Sequence, residues 1–178
     1  FLEQALLNFK NEKVFAVSFN EGKFGPGKLV WEKGFLEIKK TDIPRKTTVT
    51  AWPNGGSSVF RKKIWQELEG MDLLFLPFYF EDIDLGIRAF KKGYLCLWEP
   101  KAKVEHRHEA TINPEILGMS DRTINLLKER NHLLLTWKNL DEPKKFFSHF
   151  FYLFRRCLFS PGYFKVLYLA LKKIIINK

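Results

Sequence analysis

The spacing of apolar residues changes from helix-like to strand-like and back along the chain. Residues 1–10 place Phe1, Ala5, Leu6 and Phe9 on one side of a short amphipathic helix. Val14–Phe19 (VFAVSF) is a continuous apolar run of the buried-strand kind, and the Gly- and Pro-rich NEGKFGPGK after it is a loop. LVWEKGFLEIKK alternates poorly but has strand composition, as does TTVTAW. PNGGSSVFRKKIWQELEG predicts a tight Gly-Gly turn, a short strand, and a helix from about Arg61 that ends at Gly70, where glycine suits a left-handed cap.

The next stretch, FYFEDIDLGIRAFKKG, predicts a helix from Glu81 to Lys92 that stops at Gly93 and has Leu85, Ala89 and Phe90 available for burial. A strand at Tyr94–Trp98 (YLCLW), a turn at Glu99-Pro100 and a second strand, AKVEH, come next. A long amphipathic helix then runs from about Ser120 to Trp137, with Ile124, Leu127, Leu134 and Leu135 near one face. Strands and helices alternate, which predicts an α/β fold. The βαβ units are too few for a complete doubly wound sheet, so the chain reads as the second half of such a fold. We divide it into a body, residues 1–140, and a helical tail, residues 141–178.

Charge sharpens that division. The formal net charge is +10, but from Lys144 onward there are eight basic residues and no acidic one, so the tail holds most of it and the body is nearly neutral. The tail also carries ten aromatic residues, Phe146, Phe147 and Phe150 among them. Its longest uncharged run falls well short of the roughly 20 apolar residues of a membrane span. Cationic and aromatic residues together fit a helix lying in a membrane interface, and equally an amphipathic helix pair packed on the body. Cys96 and Cys157 show no pairing or metal-ligand spacing, so a reduced, cytoplasmic chain is expected. FLEQALLNFKNEK is not a signal peptide, and a start at Phe1 suggests a fragment.

The candidate chemistry lies in the body. Glu81, Asp82 and Asp84 open a helix, where the positive end of the macrodipole stabilises anions and should keep Asp82 ionised at neutral pH. That suits a base, a metal ligand, or plain helix stability. In VEHRHEAT, His106 and His108 fall on the same side of an extended strand and fit either a shared metal or a polar surface. The glycines of NGGS allow close approach of a sugar or phosphate to the backbone, although such turns are common.

In order, these pieces resemble the C-terminal half of a family 2 glycosyltransferase with the Rossmann-like GT-A fold. The matching string is NGGSSVFRKKIWQELEGMDLLFLPFYFEDIDLGIRAFKKGYLCLWEPKAKVEHRHEAT. It contains the Gly-Gly turn, a strand ending in Arg, a helix closing on Gly-x-Asp, the aromatic lead-in to Glu-Asp-x-Asp-Leu, and a strand ending in His. ERNHLLLTWKNL resembles the Arg-Asn-containing helix that follows, and Met71 stands where the family usually has an aromatic.

The resemblance implies an inverting transfer of a sugar from a nucleotide-diphosphate donor to a saccharide or lipid-linked acceptor hydroxyl, in bacterial surface polysaccharide or glycolipid synthesis. It implies Asp82 as the base, with Glu81 second or orienting the acceptor. Trp52, Asn54, Gly55 and Gly56 would line the donor-sugar and acceptor pocket, and Asp84 and Arg88 would brace the helix or contact the donor. His106, with His108 as a further candidate, would help bind a divalent metal, Mn or Mg. The main metal ligands belong to the family's nucleotide-binding half with its strand-ending Asp-x-Asp; Asp82-Ile83-Asp84 is this sequence's sole Asp-x-Asp and opens a helix instead. The 178 residues are therefore expected to be an incomplete enzyme, inactive alone, placed in the cytoplasm or peripherally at the inner face of the cytoplasmic membrane. A metal-dependent hydrolase using Asp82, Asp84, His106 and His108 is the alternative, as is a non-catalytic membrane- or nucleic-acid-binding module. The near-neutral body speaks against nucleic acid.

Overall fold

The structure, a computed structural model, describes residues 1–105 and 118–176. It is α/β, and the chain divides into two compact units. The first comprises Phe1–Leu29, Ile38–Asp72 and Glu81–His108, and the second Val30–Glu37, Leu73–Phe80 and Glu109–Lys178. The second unit thus joins the helices of the 141–178 tail to the helix that precedes them.

The first unit is built on a mixed four-stranded sheet in the order β4-β6-β1-β5. Strand β1 (Val14–Asn20) runs parallel to β6 (Leu95–Lys103) and antiparallel to β5 (Ser58–Phe60), and β4 (Thr48–Val49) pairs antiparallel with the far edge of β6. The unbroken apolar run of β1 follows from this central position. Phe15 and Ala16 pack with Cys96, with Ile64 of α2 (Lys62–Glu67), and with Leu85 and Ala89 of α3 (Glu81–Lys91). Val14 and Val17 join a second cluster with Ala102 and Ala5, the latter from α1 (Leu2–Leu6). Each large apolar side chain buried in this way contributes about 1.5–3 kcal/mol. Burial also pushes the Cys96 thiol up to about 12, which leaves it unreactive.

Helix α3 ends at a glycine as expected, whereas α2 stops at Glu67 and is closed by Glu69 in the left-handed conformation (φ 60°), with Gly70 following it. Gly70 and Gly93 both take positive φ (66° and 82°), and Gly70 donates back to the Trp65 carbonyl at 3.0 Å. Phe90 remains 37% exposed rather than buried, since it lies about 140° around the helix from Leu85.

Strand β6 departs from the sequence reading. Instead of two strands joined by a turn at Glu99-Pro100, it runs through as one and bulges. Phe19 pairs with Glu99 and the next residue, Asn20, pairs with Lys103, so three residues of β6 are left over. Pro100 has no N–H for a ladder, which makes this the natural place for the irregularity. The Asn20 amide donates to the Pro100 carbonyl at 3.0 Å, and the Glu99 carboxylate accepts from Thr47 Oγ1 (2.6 Å), Asn8 Nδ2 (3.1 Å) and the Lys101 N–H (3.0 Å).

LVWEKGFLEIKK proves to be a hairpin, β2 (Gly27–Glu32) and β3 (Phe35–Lys40). Its turn residues Lys33 and Gly34 have φ of 47° and 75°, the positive pair that a tight two-residue hairpin turn needs. In the second unit this turn is covered by a helix. A Cβ on Gly34 would come within 2.7 Å of the Ser148 carbonyl oxygen and 2.9 Å of Tyr152 Cβ, both on α5 (Pro143–Phe159). Helix α5 starts with proline in its first turn, and α4 (Asp121–Lys138) starts at Ser120, whose hydroxyl accepts from the Thr123 N–H at 3.3 Å. The last helix, α6 (Tyr163–Ile176), packs on α4.

One histidine joins three of these elements. His149 of α5 is 4% exposed; its Nε2 receives the Trp137 indole N–H at 2.9 Å, and its Nδ1 lies 2.6 Å from the Gly34 carbonyl. An indole nitrogen only donates, so Nε2 is the acceptor and the single ring proton sits on Nδ1, directed at Gly34. Burial holds the His149 pKa below its ordinary value, and the nearby His132 adds to this against the Gly34 hydrogen bond. The unfolded chain therefore takes up this proton first as pH falls, and the stabilising neutral pairing is lost progressively below the ordinary histidine range. A thermal-melt series should show stability falling from pH 7 towards pH 5, and His149→Gln should flatten that dependence.

Candidate active site

The site is assembled within the first unit from the loop at residues 50–57 and the first turn of α3. Two glycines with no Cβ let these approach. At Gly86 a Cβ would lie 2.5 Å from the Ala51 carbonyl oxygen and 2.6 Å from Trp52 Cα, so α3 packs directly on the loop backbone. At Gly27 a Cβ would fall inside the Trp52 ring, which rests on that glycine. Thr50 fixes the loop further, since its hydroxyl accepts the Gly27 N–H at 3.0 Å and donates to the Trp52 carbonyl at 3.1 Å.

Beyond Trp52 the chain makes the Gly-Gly turn. The Ser57 N–H closes it on the Asn54 carbonyl (3.3 Å), the Asn54 N–H donates to the buried Ser18 hydroxyl (3.0 Å), and the Phe19 N–H donates to the Ser57 carbonyl (2.8 Å). Ser57 also donates to Glu21. Strand β1 therefore anchors the turn, and Gly55 and Gly56 stay exposed at its tip.

Asp82 faces this turn. Its Oδ2 accepts the Gly55 N–H at 3.2 Å, and its Oδ1 accepts the Ile83 N–H at 2.8 Å. These donors favour the carboxylate, but they do not prevail. Burial, with the charge of Glu81 adding to it, pushes the Asp82 pKa up to about 6. Asp82 is thus a weaker acid than a helix start alone suggests, ionised at neutral pH yet basic enough to take up a proton. Burial also raises the pKa of Glu81, whose Oε2 is enclosed without a hydrogen-bond partner.

Asp84 and Arg88 are engaged differently. Asp84 is 1% exposed and pairs with Arg88 Nε at 2.7 Å, one turn along the helix. The Arg88 guanidinium also donates to the Gly70 carbonyl at 2.7 Å and to the Leu68 carbonyl, tying α3 to the end of α2. His106 and His108 lie outside the described residues. Among the described residues no group of three or more His, Cys, Asp or Glu could hold a metal ion.

Sequence reasoning brought together Glu81, Asp82, Gly55, Asn54 and Trp52, and the structure places them on the two adjoining segments. It missed Ser18, Thr50 and Gly86. Gly86 offered a signal, a glycine inside an otherwise well-formed helix pattern, which usually marks close backbone packing. Gly86→Ala should cost about 2 kcal/mol in urea denaturation, because the contact is with rigid backbone. At Gly55 a Cβ would meet Asp82 only at ordinary contact distances from 3.6 Å outward, so Gly55→Ala should stay within about 0.5 kcal/mol of the parent. Equal losses at the two positions would contradict this account of the packing.

No protein-family model matches the chain, and no curated protein matches it.

Proposed function

We propose that these residues form the acceptor-side, base-bearing half of a GT-A glycosyltransferase of family 2, which moves a sugar from a nucleotide-diphosphate donor to an acceptor hydroxyl with inversion. The observation that carries the reading is Asp82, a carboxylate with a pKa raised to about 6, held by a backbone N–H of an exposed Gly-Gly turn. A general base works best when its pKa lies near the operating pH, and burial brings Asp82 there.

In the proposed reaction the acceptor hydroxyl sits against Asp82 and gives its proton to the carboxylate as its oxygen attacks the anomeric carbon. The bond from that carbon to the diphosphate oxygen breaks on the opposite side, and the diphosphate leaves with the electron pair. The negative charge of Asp82 also favours the oxocarbenium-like centre between them. In this reading Glu81, the neighbour of Asp82 at the start of α3, orients the acceptor. Gly55 and Gly56 leave the mouth of the site free of side chains. The hydrolase alternative would set Asp84 beside Asp82 on a metal, and Asp84 is instead held by Arg88.

The test is acceptor glycosylation coupled to release of nucleoside diphosphate. The 178 residues alone are expected to give no turnover, and a longer natural form containing them to give turnover. A clear rate from the 178 residues alone would overturn the half-enzyme reading. If no longer form transferred sugar from any of the common nucleotide-diphosphate donors, the transferase reading itself would fall.

A further inference from the structure

We infer that the outer faces of α5 and α6 form a docking surface for an anionic lipid bilayer, lying in its interface rather than crossing it. On α5, Phe147, Phe151, Phe154 and Leu158 follow one another along a single stripe, with Phe146 and Phe150 beside it, and all six are exposed. Phe147 is left 71% open to solvent. The stripe occupies about 140° of the helix circumference at 3.6 residues per turn. Lys144 and Arg155 lie along its edge, both exposed.

Helix α6 repeats the arrangement. Phe164, Tyr168, Leu171 and Ile175 form an exposed apolar stripe, and the exposed Lys165 and Lys172 border it. The opposite side of α6 buries Tyr163, Val166 and Ala170, so the exposed residues are surplus to the packing of the second unit. At roughly 100 Å² for each exposed side chain, the two stripes exceed the few hundred Å² that a soluble monomer ordinarily leaves open.

Charge selects the occupant. No acidic residue occurs from Lys144 to the end of the sequence, so both stripes are edged by cations alone. Arg156 turns inward to Glu129 (2.6 Å) and to the Tyr163 ring (4.3 Å), but Lys144, Arg155, Lys165 and Lys172 stay exposed. An apolar stripe with a cationic border matches acyl chains beneath anionic headgroups, each cation near such a surface contributing about 1 kcal/mol. Among the described residues no helix is long and apolar enough to cross a membrane, in keeping with a position in the interface. The inference rests on these two helices alone, and its failure would leave the sugar-transfer reading where it stands.

The test is co-sedimentation of the full chain with vesicles of phosphatidylcholine, alone and mixed with phosphatidylglycerol. Binding to the anionic vesicles should be at least about tenfold tighter and should weaken with salt. Substituting Phe147→Ser, Phe151→Ser and Phe154→Ser together should reduce it by more than about tenfold. The pair Lys165→Glu and Lys172→Glu should reduce anionic binding by a similar factor. This second variant removes no apolar contact and keeps the test decisive if the first folds poorly. No preference for anionic vesicles, or binding unchanged in both variants, would overturn the inference. So would a dimer in solution that the phenylalanine variant dissolves while vesicles are ignored, since a second copy would then be what covers the face.

Discussion

If the proposed reading holds, replacing Asp82 with Asn should lower sugar transfer by roughly 10²–10⁴-fold, the range expected when a general base is removed. The amide has the carboxylate's shape and can still accept one backbone N–H, but it cannot take up the acceptor proton. Because burial places the Asp82 pKa at about 6, the parent rate should be flat above that pH and fall tenfold per unit below it. The Asn variant should lose that limb. Stability carries the matching signature with the opposite sense. A carboxyl with a raised folded-state pKa costs nothing while protonated and destabilises as pH rises from the ordinary Asp range through 6. Asp82→Asn should therefore remove a loss of stability between about pH 4 and 6. A variant with near-parental transfer, or an unchanged acid limb, would exclude Asp82 as the base.

The second large effect lies in the other unit. Asn131 of α4 is fully buried, and its side-chain amide donates to the carbonyls of Phe75 (2.6 Å), Phe78 (2.8 Å) and Tyr79 (3.0 Å). Its own oxygen accepts from Arg130 Nε at 2.9 Å, and Arg130 reaches the Leu76 carbonyl at 2.6 Å. Tyr79 and Phe80 hold positive φ (74° and 75°), strained for residues with side chains, so this turn needs an outside clamp. Asn131→Ala should cost about 4 kcal/mol, since it strands several buried carbonyls and the guanidinium at once. Asn139→Ala serves as the comparison, because its side-chain amide donates to the Leu135 carbonyl within the same helix (2.9 Å), and it should cost about 1 kcal/mol. Similar urea midpoints for the two variants would refute the clamp.

Local chemistry explains what could be read in advance. Glycine ended α3 where expected, α4 starts next to Ser120, and the apolar run of β1 announced a buried strand, because each depends on a few neighbouring residues; α2 instead closes on Glu69 in the left-handed position, one residue before Gly70. Glu99-Pro100 looked like a turn because proline interrupts a strand pattern. Whether it turns or bulges was decided by pairing with Phe19 and Asn20, some eighty residues earlier. The Lys33-Gly34 turn was missed since its glycine is preceded by lysine, not by the Asn or Asp that usually marks such turns. At the site, the residues were legible and their electrostatics were not. Helix position suggested an Asp82 ionised at neutral pH, which a pKa of about 6 leaves standing, but the burial that raises it that far was not visible in the sequence. Arg130 and Asn131 belonged to a recognisable string, but their partners at Phe75–Tyr79 could be found only in three dimensions.

The seat of α5 on the Lys33-Gly34 turn has a thermodynamic consequence. With the Gly34 carbonyl against His149 on one side and Trp137 bound to the same ring, the helix has a fixed rotation about its axis. Its phenylalanine stripe is presented ready-made, unlike a segment that becomes helical only on reaching a surface. Adsorption then forgoes the ordering cost of coupled folding, about 2–5 kcal/mol or more in such systems. Helicity measured by far-UV circular dichroism should be the same with and without anionic vesicles.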